Sequence, residues 1–326
     1  MLTGIITGVG YAGNITCTKV GEWGTDRYND VFVRGSYAYC AAEEAGLDIL
    51  DISTPTNPKK VGNMDSLYAR RVWVDNNTEV AYLADTDTLM VIDISSPSTP
   101  KLIGVYDPNF LVEDVVVIGN YAFLIGSVFS KDFFGKGELH ILDISNPASP
   151  TFLGTYNTDV ISSVYIKNNY AYLTAYYYDQ FNVMHSHLDI VDISNHASPQ
   201  RVGLVQLSES DIKGISMKGN YVYLGVSQLA IIDVSNPASP YSVGNAAVTG
   251  TYITDILVGG DYAYVATGDG GLDIFSVSTP AAPTLVKNCR TPGGANGVYV
   301  QGNYAYMADM NKGLQVINIT DPASAY

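Results

Sequence analysis

The residues of this chain best suited to chemistry are few, and they cluster. Arg70 and Arg71 stand side by side in a chain of formal net charge −15. There they can take a carboxylate from a partner or an acidic sugar, or pair with Asp65 and Glu113. His185 and His187 are spaced to share one side of an extended strand, and Asp179 or Asp189 could extend them towards a zinc or nickel site. An H-x-H pair does not by itself specify a metal, and polar surface is the ordinary reading. Two segments are dense in aromatics: Gly126–Gly137 carries Phe129, Phe133 and Phe134, and Ala175–Ser186 carries Tyr176, Tyr177, Tyr178 and Phe181. Exposed rings among polar neighbours suit a protein partner or a sugar face. Equally, the two segments can cover each other as self-packed extensions. No nucleophile elbow, Walker loop, dinucleotide glycine pattern or HExxH occurs. Thr267–Gly271 reads as a β-turn, since no helix follows it.

What must position these residues is a clause written seven times. Leu47-Asp48-Ile49-Leu50-Asp51-Ile52-Ser53 returns at Leu89, Leu139, Leu188, Leu229, Leu272 and Leu314. Its aligned polar residue is Asp51, Asp93, Asp143, Asp192, Asp233, Ser276 and Asn318, in steps of 41 to 50 residues. A second clause, such as Gly119-Asn120-Tyr121-Ala122-Phe123, precedes each copy. Repeats of this length, rich in short β-branched runs, mean blades around an axis. In the third unit Val115–Ile118 and Tyr121–Leu124 flank a two-residue hairpin. Leu139–Ile144 and Thr151–Tyr156 follow, split by a Ser-Asn-Pro turn. The recurrent Asp is thereby a turn-former that binds its own backbone, and the recurrent Tyr packs between blades.

The last unit lacks a fourth strand, and residues 15–23 match one, as in Val20-Gly21 beside Val61-Gly62. The expectation is an all-β, seven-bladed propeller of one domain with four antiparallel strands per blade, its last blade closed by the N-terminal strand. Blades span about 30–62, 71–104, 114–155, 163–204, 214–245, 255–287 and 297–320, with the closing strand at about 15–23. The Leu-x-Ile-hydrophobic-Asp-Ile-Ser-x-Pro pattern resembles the LVIVD repeat, a family of β-propellers. The resemblance implies a cell-surface or secreted location and a binding or scaffolding role, and it supplies no catalytic signature. Ser276 and Asn318 depart from it at the Asp position, and His196 replaces a turn proline.

On this fold, the position five residues before each hairpin Gly or Asn marks the mouth of the axial channel. It holds Asp30, Arg71, Asp114, Ser163, Gly214, Asp255 and Gly297. Three carboxylates and one Arg could hold a cation there, or only waters. Ca²⁺ wants six to eight oxygens, and no other cofactor is expected. The insertions of blades three and four fall on the same face.

Composition narrows the partners. An acidic, charge-poor surface disfavours nucleic acid and anionic membranes, and no apolar run is long enough to span a bilayer. Met1–Gly13 lacks the basic start of a signal peptide. The three cysteines, Cys17, Cys40 and Cys289, show no legible pairing, and their odd number leaves at least one thiol free. Buried small side chains are the expectation for them. Together these point to a non-catalytic extracellular or surface module, monomeric or part of a longer chain, that recognises a protein or glycan. A glycan hydrolase or lyase using Asp114 and Asp255 at the channel mouth is the alternative.

Overall fold

In the computed structural model, which describes residues 17–24, 26–128, 135–207 and 212–320, seven four-stranded antiparallel sheets stand in a ring. Blade one consists of Asp30–Arg34, Tyr37–Ala41, Leu47–Asp51 and Lys59–Met64, running from the axis outward. The other blades repeat that order. In the seventh, Ala295–Gln301, Tyr304–Asp309 and Gly313–Asn318 receive Thr18–Trp23 as their outer strand, Thr18 opposite Asn318 and Trp23 opposite Leu314. The expected closure is therefore present. Ile15 and Thr16 lie outside the described residues. Among the described residues no helix is long and apolar enough to cross a membrane.

In six of the seven blades the hairpin between the first two strands begins on a left-handed residue, for example Gly35 (φ 60°), Gly219 (φ 58°) or Asn168 (φ 54°); the longer blade-two hairpin, residues 75–79, has none. Such a φ is open to glycine at no steric cost and to asparagine at little. The apolar residues of neighbouring sheets meet between blades, where Tyr39, Tyr82, Tyr172, Tyr223 and Tyr306 are buried. The tyrosine clause is core, as expected. The recurrent Asp also behaves as expected: the Ser53 N–H donates to Asp51 Oδ1 at 2.8 Å, and the Ser145 N–H to Asp143 Oδ1 at 2.8 Å. These bonds stabilise the anion and hold both carboxyls below their usual range. Asn318 makes the same bond to the Thr320 N–H.

The glycine of each outer strand has a role that its sequence neighbours do not reveal. A Cβ on Gly62 would stand 2.1 Å from the Pro97 carbonyl oxygen of the next blade, and one on Gly203 1.9 Å from that of Pro237. Gly21, Gly104, Gly154 and Gly244 meet Pro55, Pro147, His196 and Pro280 in the same way. Every such turn is thus seated on the bare backbone of the preceding blade. Blade six has Lys287 at this position, opposite Ile274.

At that junction the chain is fastened covalently. Cys17, just before the closing strand, is disulfide-bonded to Cys289 at the end of the outer strand of blade six, Thr284–Cys289. This corrects the expectation that all three cysteines are plain buried side chains. Circular closure brings together two residues 272 apart in sequence. Cys40 is the free, buried thiol.

Candidate functional site

The segments that enter each inner strand, and those joining second to third strands, gather on one face. Two cavities meet on the axis beneath it. A polar bowl of about 310 Å³ opens among the entering segments, and a channel of about 480 Å³ runs along the inner strands to the hairpins at Gly35 and Gly302. Arg71 and Ser163 line both, so they mark the constriction between them. Asp30, Asp114, Gly214 and Asp255 line the channel with them, and Gly297 abuts Asp30. These seven positions thus lie together around the axis. The glycines among them make room: a Cβ on Gly297 would stand 3.1 Å from Asp30 Oδ1, and one on Gly214 2.8 Å from the Asp255 Cα.

Charge in the ring is held tightly. Arg71 Nη1 is 3.3 Å from Asp30 Oδ1, and Asp30 Oδ2 accepts the Val72 N–H at 3.0 Å, tying blade one to blade two. Asp255 does the same between blades six and seven through the Val298 N–H, at 3.0 Å. Burial opposes the charge on Arg71, but Asp30, Asp255 and Asp114 together outweigh it and keep the guanidinium more firmly protonated than usual. For Asp114, burial outweighs Arg71 and raises the carboxyl to about 7. Asp255 is also raised, with burial again the main cause.

The bowl has the opposite sign. Arg70, Arg71 and Lys213 line it against Glu113, with Ser127, Ser162, Ser163 and Tyr176. Arg70 Nη1 donates to Glu113 Oε2 at 3.0 Å, one of the two pairings expected. The other is corrected: Arg71 turns inward to Asp30, while Asp65 accepts from Asn63 Nδ2 at 2.9 Å. Burial raises the Glu113 carboxyl despite Arg70. The Oγ atoms of Ser127 and Ser163 and the Nε of Arg70 are buried without a hydrogen-bond partner. Such groups cost stability unless something meets them.

The blade-four insertion is not a loop but a lengthened hairpin, Tyr170–Tyr178 paired with Met184–Asp192. Its tip is fixed by Asp179, whose Oδ1 accepts from the N–H groups of Phe181 and Val183 at 2.8 and 2.9 Å. Because strand side chains alternate, the expected single aromatic patch is divided. Tyr176 lines the bowl and meets Tyr178 edge-to-face at 6.0 Å, whereas Tyr177 lies on the other side, stacked on His185 at 5.2 Å. Tyr177 and Tyr178 are part-exposed, and Phe181 is 76% exposed. Phe129, Phe133 and Phe134 lie outside the described residues, as do Glu209, Ser210 and Asp211.

The histidine pair does not converge on a common set of ligands. His185 Nε2 is 3.1 Å from Asp179 Oδ2. His187 is buried, with Nε2 3.7 Å from Asp159 and 3.8 Å from Asp189. Among the described residues no group of three His, Cys, Asp or Glu is placed to hold a metal.

Sequence reasoning weighed Asp189 only as a metal ligand and did not see the set of polar residues to which it belongs. The variable position of Leu-x-Ile is Asp48, Asp189 and Asp273 in blades one, four and six, all fully buried. Asp48 and Asp273 grip the segment entering their own blade, and Asp189 grips the end of the outer strand of blade three, Thr151–Thr158. The Tyr28 hydroxyl donates to Asp48 (2.8 Å), Tyr156 and Thr158 donate to Asp189 (2.9 and 2.8 Å), and the Thr249 N–H donates to Asp273 (2.7 Å). An acid inside an apolar run, in three of seven copies, was the available signal.

The LVIVD repeat matches the chain seven times, over residues 28–66, 68–108, 111–158, 161–206, 211–248, 250–291 and 292–325. No curated protein matches the sequence. Among solved structures, the fold is similar to the computationally designed Ika8 protein (TM-score 0.64, 10% identity, 92% of this chain and 99% of that one). It is also similar to a chain of the Mitotic Checkpoint Complex (TM-score 0.69, 10% identity, 94% and 95%). At that identity the likeness concerns architecture alone.

Proposed function

The chain belongs to the LVIVD-repeat family, and on that premise we propose that it is a binding module that receives an acidic, hydroxyl-bearing group of a glycan or protein partner. The site is the bowl at the centre of the loop face. One observation carries this reading. In a chain of net charge −15, Arg70, Arg71 and Lys213 converge on one cavity whose buried Ser127 and Ser163 hydroxyls have no partner. The cations supply attraction for a carboxylate, the hydroxyls take sugar or side-chain hydroxyls, and Tyr176 and Tyr178 form an apolar ledge leading away from the bowl. The Cys17–Cys289 disulfide supports an oxidising setting, at the cell surface or outside it. No residue of the bowl is assigned a catalytic role.

The test is an array of uronate-bearing and neutral glycans together with acidic peptides, read at low and moderate salt. Acidic ligands should be retained and neutral ones not. Tyr176→Ala and Lys213→Ala should each weaken retention about tenfold, a loss of order 1.4 kcal/mol. Tyr177→Ala, on the far side of the hairpin, should leave it unchanged. Equal retention of neutral and acidic ligands would overturn the assignment.

A further inference from the structure

Below the constriction the channel has a second tier, two residues further along each inner strand. It consists of Phe32, Trp73, Val116, Tyr165, Ser216, Leu257 and Tyr299. Two residues of a strand rise about 6.6 Å, so this tier lies one small-ligand diameter from Asp30, Asp114 and Asp255. The rings of Tyr299, Phe32 and Trp73 form a continuous arc across blades seven, one and two. Their centroids are 4.9 Å apart for Phe32 and Tyr299, and 5.5 Å for Phe32 and Trp73. Trp73 packs against three successive inter-blade cores, so it leans along the channel wall instead of entering one seam. Tyr165 of blade four lines the channel from a separate part of the ring.

We infer that the channel is a binding site for a small organic ammonium ion, held between this aromatic collar and the carboxylates of Asp114 and Asp255. Three features converge on that class. The ring carries three carboxylates against one guanidinium, and Arg71 makes its hydrogen bond to Asp30, not to the other two. Ring faces attract a cation and shed water around it, which suits an alkylammonium far better than a hydrated metal ion. Ser163 Oγ, on a residue 3% exposed, lines the constriction with no partner and can accept an ammonium N–H. The volume of about 480 Å³ is that of a small-molecule site.

The experiment uses Trp23→Phe protein, in which Trp73 is the sole tryptophan, titrated with butylammonium and trimethylammonium. Butanol, K⁺ and Ca²⁺ serve as controls, and calorimetry runs in parallel. Both ammonium ions should change Trp73 emission saturably, with butanol silent and neither inorganic cation competing. Asp114→Asn with Asp255→Asn should weaken binding about tenfold or more. Tyr165→Leu, which leaves the reporter intact, should weaken it about threefold to tenfold. Near-UV circular dichroism separates lost binding from lost fold. No saturable response in folded protein, or displacement of the ammonium by Ca²⁺ or K⁺, overturns the inference. The bowl shares Arg71 and Ser163 with the channel, but its reading is tested separately, by retention of acidic over neutral ligands.

Discussion

Opening the Cys17–Cys289 bond is the most direct perturbation of the closed ring. The bond spans 272 residues. In the chain-entropy account a cross-link of that length removes about 5 to 6 kcal/mol of freedom from the unfolded chain. The native closing strand keeps its pairing with Gly313–Asn318, and Gly21 stays seated on Pro55. The loss on reduction therefore falls on the unfolded state, and about 3 to 5 kcal/mol is expected to be measurable. An unfolding entropy of about 2.1 cal/mol/K per residue gives roughly 0.7 kcal/mol/K for this chain. Cys17→Ser should thus lower Tm by about 4 to 7 °C. Scanning calorimetry of Cys17→Ser, Cys289→Ser and the double variant measures it, and the three should agree because each breaks the same bond. Thiol titration in denaturant should find one free thiol before reduction, Cys40, and three after it. Three thiols before reduction, or an unchanged Tm in Cys17→Ser, would refute the covalent closure.

Other consequences follow from single residues. Gly203→Ala places a Cβ 1.9 Å from the Pro237 carbonyl and should destabilise by about 3 kcal/mol or more. Gly219→Ala meets nothing within 4 Å and should cost only the about 1 kcal/mol of its left-handed φ, as urea melts of the pair would show. Asp114 has a folded value of about 7 against an ordinary 3.8. It therefore favours folding below the unfolded value, and that contribution is lost as pH rises through about 7. The gap bounds the effect at about 4 kcal/mol. Asn retains an acceptor for the Val115 N–H, so Asp114→Asn should gain about 1 to 3 kcal/mol at pH about 8 and almost nothing at pH about 4. Tyr28→Phe removes the hydroxyl that donates to buried Asp48 and leaves Lys60, 2.7 Å away, as its remaining partner. A loss of about 1 to 3 kcal/mol is expected in denaturant melts.

Seven in-register copies made the architecture legible, because each copy repeats the same turn and hairpin chemistry. The ring of Asp30, Arg71, Asp114 and Asp255 was legible for the same reason: a fixed offset from a hairpin glycine is a fixed height on the axis. What escaped was whatever depends on a partner in another blade. Gly62 reads as an ordinary strand residue until Pro97 is beside it. Cys17 and Cys289 read as unrelated until the ring is closed. The run Tyr176-Tyr177-Tyr178 looked like one patch because its richness in rings hid the period of two that sends neighbours to opposite sides. Arg71 was placed in the ring, but its pairing was assigned to nearby Asp65 or Glu113 because its counter-ion, Asp30, is 41 residues away and in another blade.

The glycine-on-carbonyl joints have a consequence for how the circle is counted. Six of them use interchangeable parts, so no joint specifies which blade should come next. A repeat duplicated or deleted by recombination would find a ready-made fit on both sides, and only curvature would object. The exception is the place where Lys287 interrupts the pattern and sulfur bridges the gap. That single irregular joint acts as an address. It tells a chain of near-identical pieces where the circle ends, and so guards against closing one blade early or one blade late.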